Sequence, residues 1–241
     1  MKRIEFVAIT PFPIIMQGED VAQKIIDQLS INSFSVEEND IFIIASKIIS
    51  VSENSIVDLC KIFPSKEAHR IANISGRSPE ECQIYLDESD EIIEIVGRNV
   101  VVRHKKGFVC TSAGIDKSNV SRGLVALLPK DADKSATEIR KRIEQAVHKN
   151  ISVIICDTIG RPDRHGSISA AIGISGIMAL ETAKQVDLFG RPTSPKIALV
   201  DRIASAASIL MGESDESCPV VVARNIKYTR DECSTIHTLL K

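Results

Sequence analysis

The stretch whose reading decides the fold is Ile151–Ile177, ISVIICDTIGRPDRHGSISAAIGISGI. Its first residues form an apolar run rich in β-branched side chains, which predicts a buried strand. Asp157 and Thr158 then stand where that strand emerges, the place where open α/β sheets put ligand chemistry. Arg161 and Arg164 follow on a loop, at a spacing suited to bidentate contact with phosphate or carboxylate oxygens. Gly160, Gly166, Gly173 and Gly176 would let the backbone turn sharply or approach a ligand closely. The same residues also fit a strand, a polar turn and an Ala/Gly-rich packing helix. The segment alone does not choose between the two.

Working outward, Ser135–Lys149 predicts an amphipathic helix. Ser135 and Glu138 form a capping box, Ile139, Ile143, Ala146 and Val147 share a face, and Arg140-Lys141-Arg142 point to solvent. Downstream, a strand over Ile197–Asp201, a helix over Ile203–Met211, a strand over Pro219–Arg224 and a C-terminal helix from about Arg230 are expected. Upstream, Arg3–Ile9 reads as a strand ended by the turn Thr10-Pro-Phe-Pro13, and Asp20–Leu29 as a helix. Asp40–Val51 reads as a long apolar strand interrupted by Ser46-Lys47. Lys47 is either an edge-strand charge facing solvent or a phosphate contact at a strand end. Ser65–Ser75 and Ser78–Val96 read as helices, the second opened by Ser78-Pro-Glu-Glu81. Asn99–His104 and Gly107–Thr111 predict a hairpin. Strands and helices mix without strict βαβ alternation, so the fold class is α+β, or mixed α/β. No linker or repeat divides residues 1–241, which predicts a single unit.

Bulk composition narrows the classes. With 44% hydrophobic and 26% charged residues the chain reads as an ordinary soluble globular protein. A net charge of −2 gives no electrostatic case for nucleic acid or an anionic membrane. Trp is absent and no apolar stretch approaches a membrane span. The N-terminal MKRIEFVAITPFP is too short in apolar run for a signal peptide. Cysteines at 60, 82, 110, 156, 218 and 233 show no CxxC pairing, and several sit in apolar runs. Reduced thiols in a cytoplasm are expected.

Three more segments carry chemistry-bearing residues on small-residue loops. Thr111–Asn119 (TSAGIDKSN) offers Asp116 and Asn119. Residues Ile209–Pro219 (ILMGESDESCP) offer Glu213, Asp215 and Glu216 beside Gly212. Thr10–Ile15 and Ser46-Lys47 add a stiff turn and a cation. Carboxylates and hydroxyls suit Mg²⁺ or Mn²⁺, the ions that accompany nucleotide phosphates. No His/Cys spacing supports zinc, and Walker, GxGxxG and GxSxG motifs are absent. His165, alone on a loop, reads as polar surface.

Taken in order, Phe12-Pro13, Ser46-Lys47, SAGIDKSN, LLPKDADKSA (Leu127–Ala136), CDTIGRP, AAIGISGI (Ala170–Ile177), DLFGRP (Asp187–Pro192), VDRIASAA (Val200–Ala207) and MGES resemble the coenzyme F420-0:L-glutamate ligases, which are γ-glutamyl ligases. The resemblance runs from Ile9 to Arg224. It implies a two-lobed α+β fold with mixed and antiparallel sheets, assembled as an intertwined homodimer. It also implies GTP as co-substrate and two Mg²⁺ or Mn²⁺ ions, with L-glutamate joined to a carboxylate acceptor through an acyl phosphate. Carried over residue by residue, Asp116 and Asp157 would bind one ion, and Thr158 and Glu213 the other. Phe12, Pro13, Ile14, Ile15, Ser46, Lys47 and Asn119 would hold the nucleotide, together with Met211, Gly212, Glu213, Ser214, Asp215, Glu216, Ser217 and Cys218. Asp116, Asp157, Arg161 and Arg164 would form the catalytic set, the arginines holding either the transferring phosphoryl group or the glutamate carboxylate.

The chain departs from the family pattern at four places. The family reads S-K-x-E-G where this chain has Ser50-Val51-Ser52-Glu53-Asn54, so Val51 replaces a nucleotide-contacting lysine and Asn54 a glycine. Asp163 stands where an aromatic is common, and Arg202 where a glutamate is usual. These changes leave three readings: a ligase acting on F420-0, a homologous folate γ-glutamyl ligase, and a non-catalytic nucleotide- or metal-binding homologue.

Overall fold

The computed structural model describes residues 3–161, 164–182 and 185–240. Strand β1 (Glu5–Ala8) leads through helix α1 (Val21–Ile31) to β2 (Ile41–Ala45), which turns directly into α2 (Ser46–Ser52). After β3 (Ile56–Asp58) come α3 (Lys66–Ser75), α4 (Pro79–Asp87), β4 (Ser89–Val96), β5 (Asn99–His104) and β6 (Val109–Thr111). Strand β7 (Leu124–Ala126) and helix α5 (Ala132–Val147) precede the long pair β8 (Ser152–Arg161) and β9 (Arg164–Ser175). Four short strands follow: β10 (Leu180–Thr182), β11 (Gln185–Val186), β12 (Pro192–Thr193) and β13 (Lys196–Ala198). Helix α6 (Leu199–Met211) and strand β14 (Val220–Arg224) complete the regular elements used below.

The main sheet has the order β1-β14-β2-β8-β9, with β2 and β8 parallel and the other neighbours antiparallel. Its central strands carry unbroken apolar runs, Ile41–Ala45, Val153–Cys156 and Val220–Ala223, because both faces are covered there. Phe42, Ile44, Val153, Ile155, Val220 and Val222 face α1 and α5. The alternate residues Ile41, Ile43, Ile154, Cys156, Val221 and Ala223 face α6. Period-two alternation thus sends one strand into two cores, and each fully buried Ile stabilises the fold by about 2 kcal/mol. Helix α5 lies so close to β9 that a Cβ added at Gly173 would overlap the Ala132 backbone. Gly173 therefore serves helix–sheet approach, not a ligand.

A second sheet, β4-β5-β6, buries Val100 and Val102 against Ile71 of α3 and Tyr85 of α4. Smaller antiparallel pairs join β3 to β7, β10 to β13 and β11 to β12. The result is the expected mixture of helices with mixed and antiparallel sheets. All six cysteines are free, and among the described residues no helix is long and apolar enough to cross a membrane.

Several local expectations give way. The helix expected over Ser78–Val96 ends at Asp87, because Ile92, Ile95 and Val96 are β-branched and pair as β4 with β5. The long strand expected over Asp40–Val51 stops at Ala45, and Ser46 opens a helix instead. Helix α5 starts earlier than its expected capping box: Asp131 caps it, accepting from the Lys134 amide, and Ser135 lies inside the first turn. Arg140 does not face solvent. It is buried, and its guanidinium bonds Ser175 Oγ at 2.9 Å, Glu144 at 3.0 Å and Glu232. Helix α6 begins at Leu199, inside the segment expected as a strand, and the C-terminal helix reduces to a 3-10 turn at Ile236–Leu239. The Ala/Gly-rich segment after Arg164 is a strand, not a packing helix. Arg161 closes β8 and Arg164 opens β9, and the two are paired across the hairpin in place of a shared loop. Pro162 and Asp163 between them lie outside the described residues.

Candidate functional site

Strand β2 ends with Ala45 opposite Cys156, while β8 continues past it. The turn from β2 into α2 therefore sets Ser46 and Lys47 beside Asp157, at the carboxyl end of the one parallel strand pair in this sheet. Ser46 is buried, and its Oγ donates to Asp157 Oδ1 at 2.8 Å. One residue on, Thr158 points to the opposite face, where its Oγ1 donates to both carboxylate oxygens of Glu213 at 3.3 Å.

Asp116 arrives from a different part of the chain. Ser112 and Ala113 both take left-handed backbone angles (φ 54° and 51°), a conformation that costs a non-glycine residue about 1–2 kcal/mol. Beyond this turn, Asp116 exchanges two backbone hydrogen bonds with Ala126 of β7, at 2.9 and 2.8 Å. Its carboxylate accepts the Ser118 amide at 2.6 Å on Oδ1 and pairs with Lys47 Nζ at 2.6 Å on Oδ2. Lys47 Nζ also donates to Ser118 Oγ. Asn119, left-handed at φ 55°, donates from its side-chain amide to the Ser214 carbonyl at 3.0 Å. The 116–119 loop thus ties α2 to the loop after α6.

The two acids are tuned in opposite directions. Asp157 exposes part of its surface, yet protein atoms crowd its carboxyl, and that crowding decides the cost of ionisation. Burial pushes it up to about 6; the Ser46 hydrogen bond opposes the shift and the Asp116 charge adds to it. Burial also pushes Asp116 up, but the hydrogen bonds from Lys47 and Ser118 and the Lys47 charge outweigh it. Asp116 is held below the usual carboxylate range.

The segments around residues 10–18 and 211–218 lie together. The Phe12 amide donates to the Ser217 carbonyl at 3.0 Å, and Thr10 Oγ1 donates to the same oxygen at 3.3 Å. Phe12 and Ile15 are buried in the core under α1, Pro13 is half-buried, and Ile14 stands exposed at 86%. At the end of α6, Gly212 takes φ 69°, and a Cβ there would overlap Glu216. Glu216 in turn accepts the Ser214 amide at 2.8 Å, while Asp215 is exposed. The side chains of Met211 and Cys218 pack into the α6 core. Val51 lies one turn beyond Lys47 on α2, packed against the opposite core, so Lys47 is the only charged residue on that helix.

Asp116, Asp157, Thr158 and Glu213 supply hard oxygen donors, which fit Mg²⁺ or Mn²⁺ and not zinc. The crowded Asp157 carboxyl lies near a second negative charge, an arrangement that a divalent cation would relieve. Among the described residues no three His, Cys, Asp or Glu side chains converge into a ready-made cage. That pairwise supply suits Mg²⁺, which keeps few protein ligands and completes its shell with phosphate oxygens and water.

Some positions escape the sequence reading. Ser118 closes an Asx-type turn on Asp116, and the D-x-S spacing in SAGIDKSN could have pointed to it. Glu81 is legible as the capping-box residue of α4, which it is. Its pairing with Lys117, which anchors the 116–119 loop to α4, is a tertiary contact with no local signal.

The profile of the family described as F420-0:Gamma-glutamyl ligase matches residues 10–225. The Coenzyme F420:L-glutamate ligase of Methanocaldococcus jannaschii is 40% identical over 92% of this chain and 88% of its own length. That of Methanococcus maripaludis is 44% identical over 81% of this chain and 79% of its own. That of Methanothermobacter thermautotrophicus is 38% identical over 93% and 90%. The chain belongs to the F420-0:γ-glutamyl ligase family and is an amide-bond-forming ligase by that membership.

Proposed function

We propose that this ligase joins the amino group of L-glutamate to the carboxylate of F420-0, using GTP and passing through an acyl phosphate. One observation carries the reading. Lys47, Asp116 and Asp157 on one face and the Thr158–Glu213 pair on the other, drawn from four separate segments, lie at one end of the main sheet. They do so in a chain whose relatives are named for this reaction.

The acceptor carboxylate is a poor electrophile. Its oxygen attacks the γ-phosphorus, the bond to the bridging oxygen breaks, and GDP leaves. The amine of glutamate then attacks the carbonyl carbon, phosphate departs, and the nitrogen loses a proton. Asp116 and Asp157 would hold one divalent ion and Thr158 and Glu213 the other. When bound, the ions screen phosphate charge that otherwise repels the incoming carboxylate. Lys47 supplies a mobile point charge for a phosphate oxygen. Ser46 fixes the Asp157 carboxylate, and Asn119 holds the 212–218 loop against the site. Arg161 and Arg164, whose backbones pair where β8 and β9 adjoin, would hold either the transferring phosphoryl group or the glutamate carboxylate.

The resemblance adds a homodimer, and the scattered cysteines favour a cytoplasmic location. Support for self-association comes from the β11–β12 hairpin, whose Val186, Leu188 and Phe189 are exposed. The activity is tested by incubating the chain with L-glutamate, GTP, Mn²⁺ and either F420-0 or folate. The reading expects F420-0 to gain glutamate with matching release of GDP. Product with folate alone would move the assignment to a folate γ-glutamyl ligase. Absence of product with both would favour a non-catalytic homologue.

A further inference from the structure

Lys47 stands where a metal ion would be expected, and its partners show why. Its Nζ lies 2.6 Å from Asp116 Oδ2 and also holds Ser118 Oγ, while the Ser118 amide takes Asp116 Oδ1. Both Asp116 oxygens are engaged before any ligand arrives. A divalent ion binds a carboxylate oxygen at about 2.0–2.2 Å, so ion and ammonium on the same oxygen would be close neighbours of like sign. Lys47 is free to move: it sits near the start of a short helix on a four-carbon stem and its side chain is 24% exposed. No second cation on α2 could take its place, because Lys47 is the only charged residue of that helix and position 51 is a partly buried valine.

We infer that Lys47 is a placeholder cation for the Asp116 metal position, leaving it for a nucleotide phosphate oxygen, so that tight metal binding at Asp116 requires nucleotide. This rests on the proposed reading of Asp116 as a metal ligand and adds an order of binding to it. With nucleotide absent, Lys47 neutralises Asp116 and competes with the ion. With nucleotide present, the phosphates give Lys47 a new partner and complete the shell of the ion that replaces it. The lack of a ready-made protein cage among the described residues agrees with this dependence.

The test measures Mn²⁺ affinity by electron paramagnetic resonance of the free ion, with and without GDP, in the whole chain. The native protein should bind Mn²⁺ weakly alone and at least tenfold more tightly with GDP. Lys47→Met should bind Mn²⁺ alone at least tenfold more tightly than the native protein, with a smaller further gain from GDP than the native protein shows. Lys47→Arg, which keeps the charge, should bind Mn²⁺ alone as weakly as the native protein, and circular dichroism checks that both variants fold. Unchanged or weaker Mn²⁺ binding by folded Lys47→Met, beside nucleotide-dependent binding in the native protein, overturns the placeholder and leaves the ligase reading standing. No Mn²⁺ binding by any form, even with GDP, overturns both.

Discussion

Replacing Asp157 by asparagine should make the metal-free protein more stable at neutral pH, although it removes a proposed metal ligand. In the fold, burial raises the Asp157 carboxyl from 3.8 to about 6, so the folded state disfavours its charge. About two pKa units correspond to about 3 kcal/mol of opposition to folding once the group is ionised in both states. The sign follows from the raised value. Below about pH 4 the acid is protonated folded and unfolded, and it costs nothing. Between about pH 4 and 6 the unfolded chain releases its proton first and stability falls. Above about pH 6 the full cost is present. The asparagine amide keeps an oxygen to accept from Ser46 and cannot ionise, so the variant avoids this loss. Urea unfolding in the presence of a chelator should therefore show Asp157→Asn about 3 kcal/mol more stable than the native chain at pH 7.5, or roughly 6–12 °C in melting temperature. The difference should vanish near pH 4. Adding Mn²⁺ with GDP should stabilise the native chain more than the variant, which has lost one proposed ligand of one ion. Equal stabilities at both pH values, or a less stable variant at pH 7.5, would refute the account of how this acid is held.

Other perturbations probe the frame around the site. Arg224→Met should cost about 3–5 kcal/mol in urea unfolding, because it strands the buried Asp40 carboxylate that Arg224 grips at 2.8 and 2.6 Å. Gly173→Ala should cost about 1–3 kcal/mol, since the new methyl meets the Ala132 backbone, which cannot rotate away. Asn54→Ala should cost about 1 kcal/mol and Asn54→Gly close to nothing, because this residue sits at φ 56°. Glu81→Ala should lose about 1–2 kcal/mol with the capping box and speed amide exchange in residues 116–119, where Lys117 loses its partner. Light scattering should report a dimer that Leu188→Asp and Phe189→Asp weaken.

The sequence makes the central strand plain, because only a strand covered on both faces needs an unbroken run such as Val153–Cys156. Its pattern places Asp157 clear of that strand. In fact β8 extends to Arg161, and what exposes the acid to chemistry is the earlier end of its partner β2 at Ala45. That depends on pairing, which a single strand's residues do not encode. Ser46 and Lys47 are visible as an interruption, yet their role in opening α2 is hidden by the apolar residues that follow. Ile49 of that segment faces the core as well from a helix as from a strand. Ser78–Val96 misleads for a related reason: a strong start signal says nothing of where a helix stops, and β4 is specified by its partner β5. The acids of the site stand out by loop context and by the family likeness. Their mutual geometry, with Lys47 on Asp116 and Ser46 on Asp157, belongs to contacts between residues about 70 and 110 positions apart, which local pattern cannot carry.

The most direct test of the central claim follows one oxygen atom. F420-0 carrying isotopically heavy oxygen in its acceptor carboxylate should be incubated with L-glutamate, GTP and Mn²⁺, and the released phosphate analysed by mass spectrometry. An acyl phosphate pathway predicts one heavy oxygen in each phosphate released, with glutamate joined to the acceptor in equal amount. Ligation that leaves all of the released phosphate unlabelled would contradict it.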